Sequence, residues 1–457
     1  MASFDDNPAA RAALELYEEI EAEHLRALEE TGVTFAPRDD VREEAHALME
    51  KLRAVGARVR NGGASVALGR LSPGCVACTG SCASRTLALS NNCHRDCFFC
   101  FNPNQEGFAY YCEHPFPWRD QLDDLAAGDA SLACLALSGG EPLLYPDEAC
   151  AFFSRARALF PAAHLRMYTS GDLLDADLAE RLHLCGLDEV RFSIKQDDPP
   201  HVLDAVLANM GLAKRAGLAV MVEMPPIPGT EEQMREVLRR IDAAGAQGIN
   251  LLEFAYPMWN WEVFEALGLV LRNPPYRVAY DYEYAGSLAV DGSEELCLRL
   301  MLWAHEHGLG LSMHYCSLEN KHRAQMRIIN EPHADISACH AFDRDDFFLK
   351  AGVVFGADRA PVREALGALG CTDFVEDDGA DATSFHPRWL SAASRVRARG
   401  GRLVQPCVST GIAVEADGGC ALRELKVESA EDAAPVQLED VTRMADEAAG
   451  DVIISPK

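Results

Sequence analysis

Three cysteines, Cys93, Cys97 and Cys100, stand in the stretch Asn92-Cys93-His94-Arg95-Asp96-Cys97-Phe98-Phe99-Cys100, spaced C-x3-C-x2-C. A short apolar run from Arg85 to Ser90 precedes them and reads as a buried strand that ends where the cysteines begin. Thiolates in a loop at a strand's end can converge on one metal or cluster without straining regular structure. A four-iron cluster normally takes four thiolates. Three leave one iron with an open position, and open positions are where metal centres do chemistry. Just upstream lies Cys75-x2-Cys78-x3-Cys82. Cys75-x2-Cys78 followed by Cys97-x2-Cys100 also fits the spacing of a structural zinc site.

The C-x3-C-x2-C spacing, with the aromatic Phe99 just before its third cysteine, resembles the signature of the radical S-adenosylmethionine (radical SAM) enzymes. The resemblance implies that Cys93, Cys97 and Cys100 hold a [4Fe-4S] cluster whose fourth iron chelates SAM. An electron from the cluster then cleaves SAM to methionine and a 5′-deoxyadenosyl radical, which abstracts hydrogen from a substrate. The cofactors carry that chemistry, and the protein orients them. A second apolar run ends in Ser138-Gly139-Gly140-Glu141-Pro142. Glycines allow close backbone approach, and a carboxylate there can pair with an ammonium. This resembles the family's Gly-Gly-Glu motif, which grips the SAM amino group. Later strand ends supply further cofactor candidates by the same resemblance: Thr169 in Tyr168-Thr169-Ser170-Gly171, Ser193 and Lys195 in Phe192-Ser193-Ile194-Lys195, and Glu223 in Glu223-Met224-Pro225-Pro226. Ser193 or Lys195 suits the ribose hydroxyls or the carboxylate of SAM, and Glu223 suits the ribose.

Cys75, Cys78 and Cys82 are not part of that signature. One more cysteine or a histidine would complete a second [4Fe-4S] cluster or a zinc site, and Cys316 in Met313-His314-Tyr315-Cys316-Ser317 is the candidate. An upstream C-x2-C paired with a late Tyr-Cys-Ser resembles uncharacterised radical SAM proteins related to pyruvate formate-lyase activating enzyme. Two other roles for Cys316 stand beside this: a catalytic hydrogen-atom donor that quenches a substrate radical, and a buried free cysteine. Cys112, Cys134, Cys150, Cys185 and Cys297 fall within strand or helix patterns and read as core.

The elements that must position these groups follow an alternating pattern. Apolar runs at 132–137, 164–168, 189–194, 218–224, 249–254 and 309–314 alternate with helical periodicity, which argues for a parallel sheet with right-handed crossovers. The units are too few for a closed eight-fold barrel. A partial (β/α)6 barrel of radical SAM type agrees with the count. Residues 1–70 read as a helical extension capping the main domain, 71–335 as the partial barrel and 336–457 as a small α+β appendage. Arg58 to Gly74 reads as a Gly-rich connector. Aromatic residues crowd 256–284 (Tyr256, Trp259, Trp261, Phe264, Tyr276, Tyr280, Tyr282, Tyr284), as an active-face lid or as packing that closes the barrel's edge. Lys321, His322, Arg323, Gln325 and Arg327 follow Cys316 on a helix, as a solvated basic face or a carboxylate-holding cluster.

The chain has 457 residues, is 48% hydrophobic and 25% charged, and carries a net charge of −29. That profile fits a globular protein with a sizeable core. It disfavours nucleic acid, which needs a basic stripe, and no apolar run of about 20 residues suits a membrane. Sixteen cysteines without a secretion signal point to reduced thiols in a cytoplasm. Cys339, Cys371, Cys407 and Cys420 form no C-x2-C pair, unlike the cysteine-rich extensions of many peptide-modifying relatives. The expected function is hydrogen abstraction from a peptide or small molecule, with a ferredoxin or flavodoxin as electron donor. Activation of a glycyl-radical enzyme is the alternative, and a non-catalytic zinc or iron–sulfur scaffold is the alternative from another class.

Overall fold

A computed structural model describes residues 4, 6–80, 84–128, 132–275, 287–398, 401–416 and 419–437. Cys82, Tyr276, Tyr280, Tyr282 and Tyr284 lie outside the described residues. The described residues divide into two compact units, one within 27–275 and 287–324, the other within 4–26 and 325–437.

In chain order the strands are β1 (Arg58–Arg60), β2 (Ser65–Leu68), β3 (Ser84–Ala88), β4 (Cys134–Ser138), β5 (His164–Thr169), β6 (Glu189–Ser193), β7 (Ala219–Met224), β8 (Gly248–Leu252), β9 (Ala255–Tyr256), β10 (Leu288–Ala289) and β11 (Ser312–Cys316). The helices are α1 (Pro8–Glu30), α2 (Glu43–Ala54), α3 (Pro73–Gly80), α4 (Phe108–Glu113), α5 (Trp118–Ala127), α6 (Pro146–Leu159), α7 (Ala176–Leu184), α8 (Pro200–Arg215), α9 (Glu231–Ala243), α10 (Trp261–Ala266), α11 (Ser293–Glu306) and α12 (Leu318–Asn330).

The first unit is built on one sheet in the order β1-β2-β11-β8-β7-β6-β5-β4-β3. From β3 to β11 all neighbouring strands are parallel. The alternating pattern therefore gives the half-open α/β sheet expected, with one parallel strand beyond six. The stretch read as a connector instead forms the β1–β2 hairpin, and β2 pairs antiparallel with β11. Val59, Val66 and Leu68 supply its apolar side, and Gly62 and Gly63 turn it with positive φ.

Side chains alternate across this sheet with period two. One face carries Leu135, Leu137, Leu165, Met167, Val190, Phe192, Val220, Val222, Ile249, Leu251, Met313 and Tyr315 into the main core under the helices. The opposite face carries Arg166, Tyr168, Glu189, Arg191, Glu223, Asn250, His314 and Cys316. Most of these are buried as well, so each calls for a partner on this face.

The second unit contains β12 (Ala341–Phe342), β13 (Leu349–Phe355), β14 (Phe374–Asp377), β15 (Ala382–Phe385), β16 (Cys407–Ala416) and β17 (Gly419–Ser429), with α13 (Arg359–Ala368) and α14 (Leu390–Ala393). Its sheet is antiparallel, in the order β14-β15-β13-β16-β17, with β12 on β13. Here the early residues behave otherwise than as a cap on the barrel. Ala9, Ala10, Ala13, Leu14 and Tyr17 pack on Val353, Phe355, Cys407 and Val427. Asn7 donates to the Phe355 carbonyl and to Asp358. The first turns of α1 thus complete the C-terminal sheet's core, which is why a boundary at residue 70 does not describe the molecule.

Candidate functional site

The loop bearing Cys93, Cys97 and Cys100 leaves the end of β3 and is held from every side by backbone-directed contacts. Gly140 N donates to Ser90 O and Glu141 N to Asn92 O, both at 2.8 Å. A Cβ on Gly140 would run into the Asn92 carbonyl, and one on Gly139, whose φ is +111°, into Ser90 O. Both glycines are therefore required for the loop and the β4 end to lie this close.

Lys195 Nζ donates to Asp96 O at 2.8 Å. Arg95 pairs with Asp172 and Asp198, and His94 with Asp172. On the far side, Trp259 Nε1 donates to Cys100 O at 2.9 Å and Asn260 Nδ2 to Phe98 O at 2.7 Å. Phe98 and Phe99 pack on Phe254, and Phe98 on Phe264, in a cluster with Tyr256 and Trp261. The aromatic stretch after β8 thus grips the cysteine loop, with Trp259 itself exposed.

Glu141 is buried, and its carboxylate takes four donors. Leu143 N and Thr169 Oγ bind Oε1 at 2.9 and 2.7 Å; Ser170 N and Ser170 Oγ bind Oε2 at 2.7 Å each. A carboxylate offers about four acceptor sites, so Glu141 ties the ends of β4 and β5 together. Thr169 also accepts from Gly171 N. Ser193 is exposed and Lys195 half-buried.

Deeper in the sheet, on its polar face, Arg191 is fully buried and joins three partners. Nε meets Glu189 at 2.7 Å, Nη1 meets Glu223 at 2.6 Å, and Nη2 lies 3.1 Å from Cys75 Sγ. Glu189 also accepts from Ser72 Oγ at 2.7 Å, just before α3, and bonds His164. Asn250 donates to Glu223 at 2.7 Å. Burial would raise both carboxyls, but Arg191, with His164 at Glu189 and Asn250 at Glu223, outweighs it and holds both below the usual range.

Residues 87–241 match the radical SAM superfamily model. That matched stretch, a radical SAM region, holds both the cysteine loop and the Gly-Gly-Glu turn. It is 21% identical over 295 residues to a putative glycyl-radical enzyme activating enzyme of Methanocaldococcus jannaschii, covering 63% of this chain and 74% of that one. It is 26% identical over 176 residues to the PqqA peptide cyclase of Granulibacter bethesdensis, covering 36% of this chain and 45% of the cyclase. The chain thus spans about half the length of that cyclase. Streptococcus suis SuiB bound to the precursor peptide SuiA aligns at 13% identity with a TM-score of 0.38, over 70% of this chain and 65% of that one.

Within the matched stretch the donor set suits an iron–sulfur cluster. Cys93, Cys97 and Cys100 lie close enough to raise one another's pKa. Burial, with Cys100 and Cys93 adding, pushes Cys97 up to about 12. Bare, these thiols stay protonated; a cationic centre would ionise them. Among the described residues no three His, Cys, Asp or Glu side chains are close enough to share one ion.

A second thiol group lies on the polar face. Cys75 and Cys78 are a helical turn apart on α3, and each influences Cys316 at the end of β11. Burial would raise Cys75, but Arg191, His314 and Arg166 outweigh it and bring its pKa down to about 6. Burial pushes Cys316 up to about 12 even with Lys321 nearby. Asn320 Nδ2 lies 3.3 Å from Cys316 Sγ. Cys134, Cys150 and Cys297 are buried, Cys112 and Cys185 partly so.

The segment after Cys316 is no solvated basic face. His322 and Arg323 are buried, Arg323 pairing with Glu319 at 2.8 Å and reaching Asn61 O. Arg166, Glu189, Arg191 and His314 had no place among the sequence candidates, because each sits inside a run read as apolar strand. For the first three the signal was a titratable residue at alternate positions, His164 and Arg166 in β5 and Glu189 and Arg191 in β6. Among the described residues no helix is long and apolar enough to cross a membrane.

Proposed function

We propose that this chain cleaves SAM reductively at a [4Fe-4S] cluster held by Cys93, Cys97 and Cys100, and abstracts hydrogen from a peptide or small-molecule substrate. The observation that carries this reading is one loop presenting three thiols, pinned by the glycines of Gly139-Gly140-Glu141 on one side and by Trp259 and Asn260 on the other. When bound, the cluster and SAM supply an electron and a 5′-deoxyadenosyl radical. The chain's own part is to fix the loop, exclude water with Phe98, Phe99 and Phe254, and offer polar groups to SAM. Phe99, Gly139, Gly140, Thr169, Ser193, Lys195 and Glu223 are the cofactor contacts in this reading. Glu141, with its acceptors occupied, positions the β4 and β5 ends rather than meeting SAM through its carboxylate. Cys75, Cys78, Cys82 and Cys316 are the pool for a second metal group, and a cytoplasmic ferredoxin or flavodoxin is the electron source.

A second reading has a specific support: an alignment over 295 residues is with a protein described as a putative glycyl-radical enzyme activating enzyme. One assay tests the shared chemistry. The anaerobic, iron- and sulfide-reconstituted chain, given SAM and dithionite, should form 5′-deoxyadenosine. A chain that takes up zinc alone and never cleaves SAM is a scaffold, and both readings then fall.

A further inference from the structure

We propose that His314 is the fourth ligand of the second metal group, making its ligand set Cys75, Cys78, His314 and Cys316, and that the group is an iron–sulfur cluster. This rests on the reading above that Cys75, Cys78 and Cys316 share a metal group. Geometry carries the step. His314 and Cys316 are two residues apart on β11 and so point to the same face of the sheet. Cys75 and Cys78 are three apart on α3 and so share one helix face. The His314 ring lies within interaction reach of the Cys75 side chain. That ring is buried, its Nδ1 makes no hydrogen bond of ordinary geometry, and the ring reaches toward the Cys75 thiol.

A buried ring nitrogen without a well-formed hydrogen bond is costly, and a metal shared with the Cys75 sulfur would satisfy it. The other nitrogen, Nε2, lies 2.8 Å from Ser65 Oγ on the neighbouring β2. With Nε2 donating its proton to Ser65, Nδ1 keeps the lone pair that a metal needs; fixing the tautomer from behind in this way is the usual outer-shell arrangement at metal-bound histidines. Two sulfurs already have their own donors, Arg191 at Cys75 and Asn320 at Cys316, as hydrogen bonds to cluster thiolates would require. Arg166 is also buried here, and its Nε and Nη1 lack hydrogen-bond partners. Fixed positive charge without an acceptor suits an anionic inorganic group.

The test uses the full-length chain with Cys93, Cys97 and Cys100 all changed to Ala, so that only the second group can load. After reconstitution with iron and sulfide, one cluster's worth of both should bind. The dithionite-reduced cluster should show a directly coordinated nitrogen in its pulsed electron paramagnetic resonance spectrum. Adding His314→Cys should keep the iron, abolish the nitrogen coupling and lower the reduction potential, since imidazole in place of thiolate raises it. Cys82→Ser should keep both iron and coupling. A cluster without nitrogen coupling, or iron lost in Cys82→Ser and kept in His314→Ala, overturns the assignment of His314 alone. Uptake of no iron, or of zinc only, overturns the second metal group itself.

Discussion

Glu141 Oε2 accepts both the backbone N–H and the hydroxyl of Ser170, each at 2.7 Å, across the gap between the ends of β4 and β5. The acidic residue of the Gly-Gly-Glu turn is thus a brace on the active face. Glu141→Ala would strand Thr169 and Ser170 donors in a buried site, at a cost of about 3 kcal/mol, read by urea unfolding. Glu141→Gln keeps the volume and some of the bonds, so it should lose less stability while still lowering 5′-deoxyadenosine formation. An unchanged denaturation midpoint in Glu141→Ala would contradict the brace.

Gly140→Ala should cripple cluster loading while leaving the sheet folded. The added methyl collides with the Asn92 carbonyl, one residue from Cys93, so the loop must move. Iron content after reconstitution should drop, with far-ultraviolet circular dichroism unchanged. Full iron content would show that the loop tolerates the displacement.

Changing Cys93, Cys97 and Cys100 together to Ala should abolish 5′-deoxyadenosine formation. Some iron should remain, held by the group around Cys75 and Cys316. Residual SAM cleavage at the wild-type rate would remove these cysteines from the chemistry.

Arg191→Met tests the buried polar network. The guanidinium answers Glu189, Glu223 and Cys75 together, and removing it leaves two buried carboxylates without their cation. The loss should be about 3–5 kcal/mol, seen as a large drop in the urea midpoint. A shift under about 1 kcal/mol would mean that water or relaxation replaces the guanidinium.

Burial holds His322 neutral, with its pKa down to about 3 from 6.5. Between those values the unfolded chain binds a proton that the folded chain does not, so stability rises with pH through the window and falls on acidification. The slope is about 1.4 kcal/mol per pH unit for one such group. Going from about pH 6.5 to about pH 5 should therefore cost about 2 kcal/mol through His322. In His322→Gln that share of the acid loss should vanish from the urea curves.

Much of this was legible in the sequence because the physics was local. β4 to β8 showed themselves by short apolar runs between helical patterns, and the Cys93 to Cys100 spacing is complete within one loop. The β1–β2 hairpin was hidden by Gly62 and Gly63, which read as linker although they turn an edge ribbon onto β11. The first turns of α1 gave an amphipathic pattern but no address, since Ala10 and Leu14 could have packed on any apolar face. His314 and Arg191 were invisible for a different reason. Their role depends on which face of the sheet they occupy and on α3 lying against it, and only the assembled register supplies both.

The second thiol group joins α3, which precedes the parallel strands, to β11, the last of them. Cys75 and Cys316 are separated by most of the radical SAM unit's chain. A group bound there would act as a staple across that whole stretch, and closing so long a loop is entropically worth on the order of 5 kcal/mol by the polymer model. It could not be loaded until the final strand had docked, so metal capture would report that the unit has finished folding. A chain truncated before β11 would carry the Cys93 loop and no means of closing the staple.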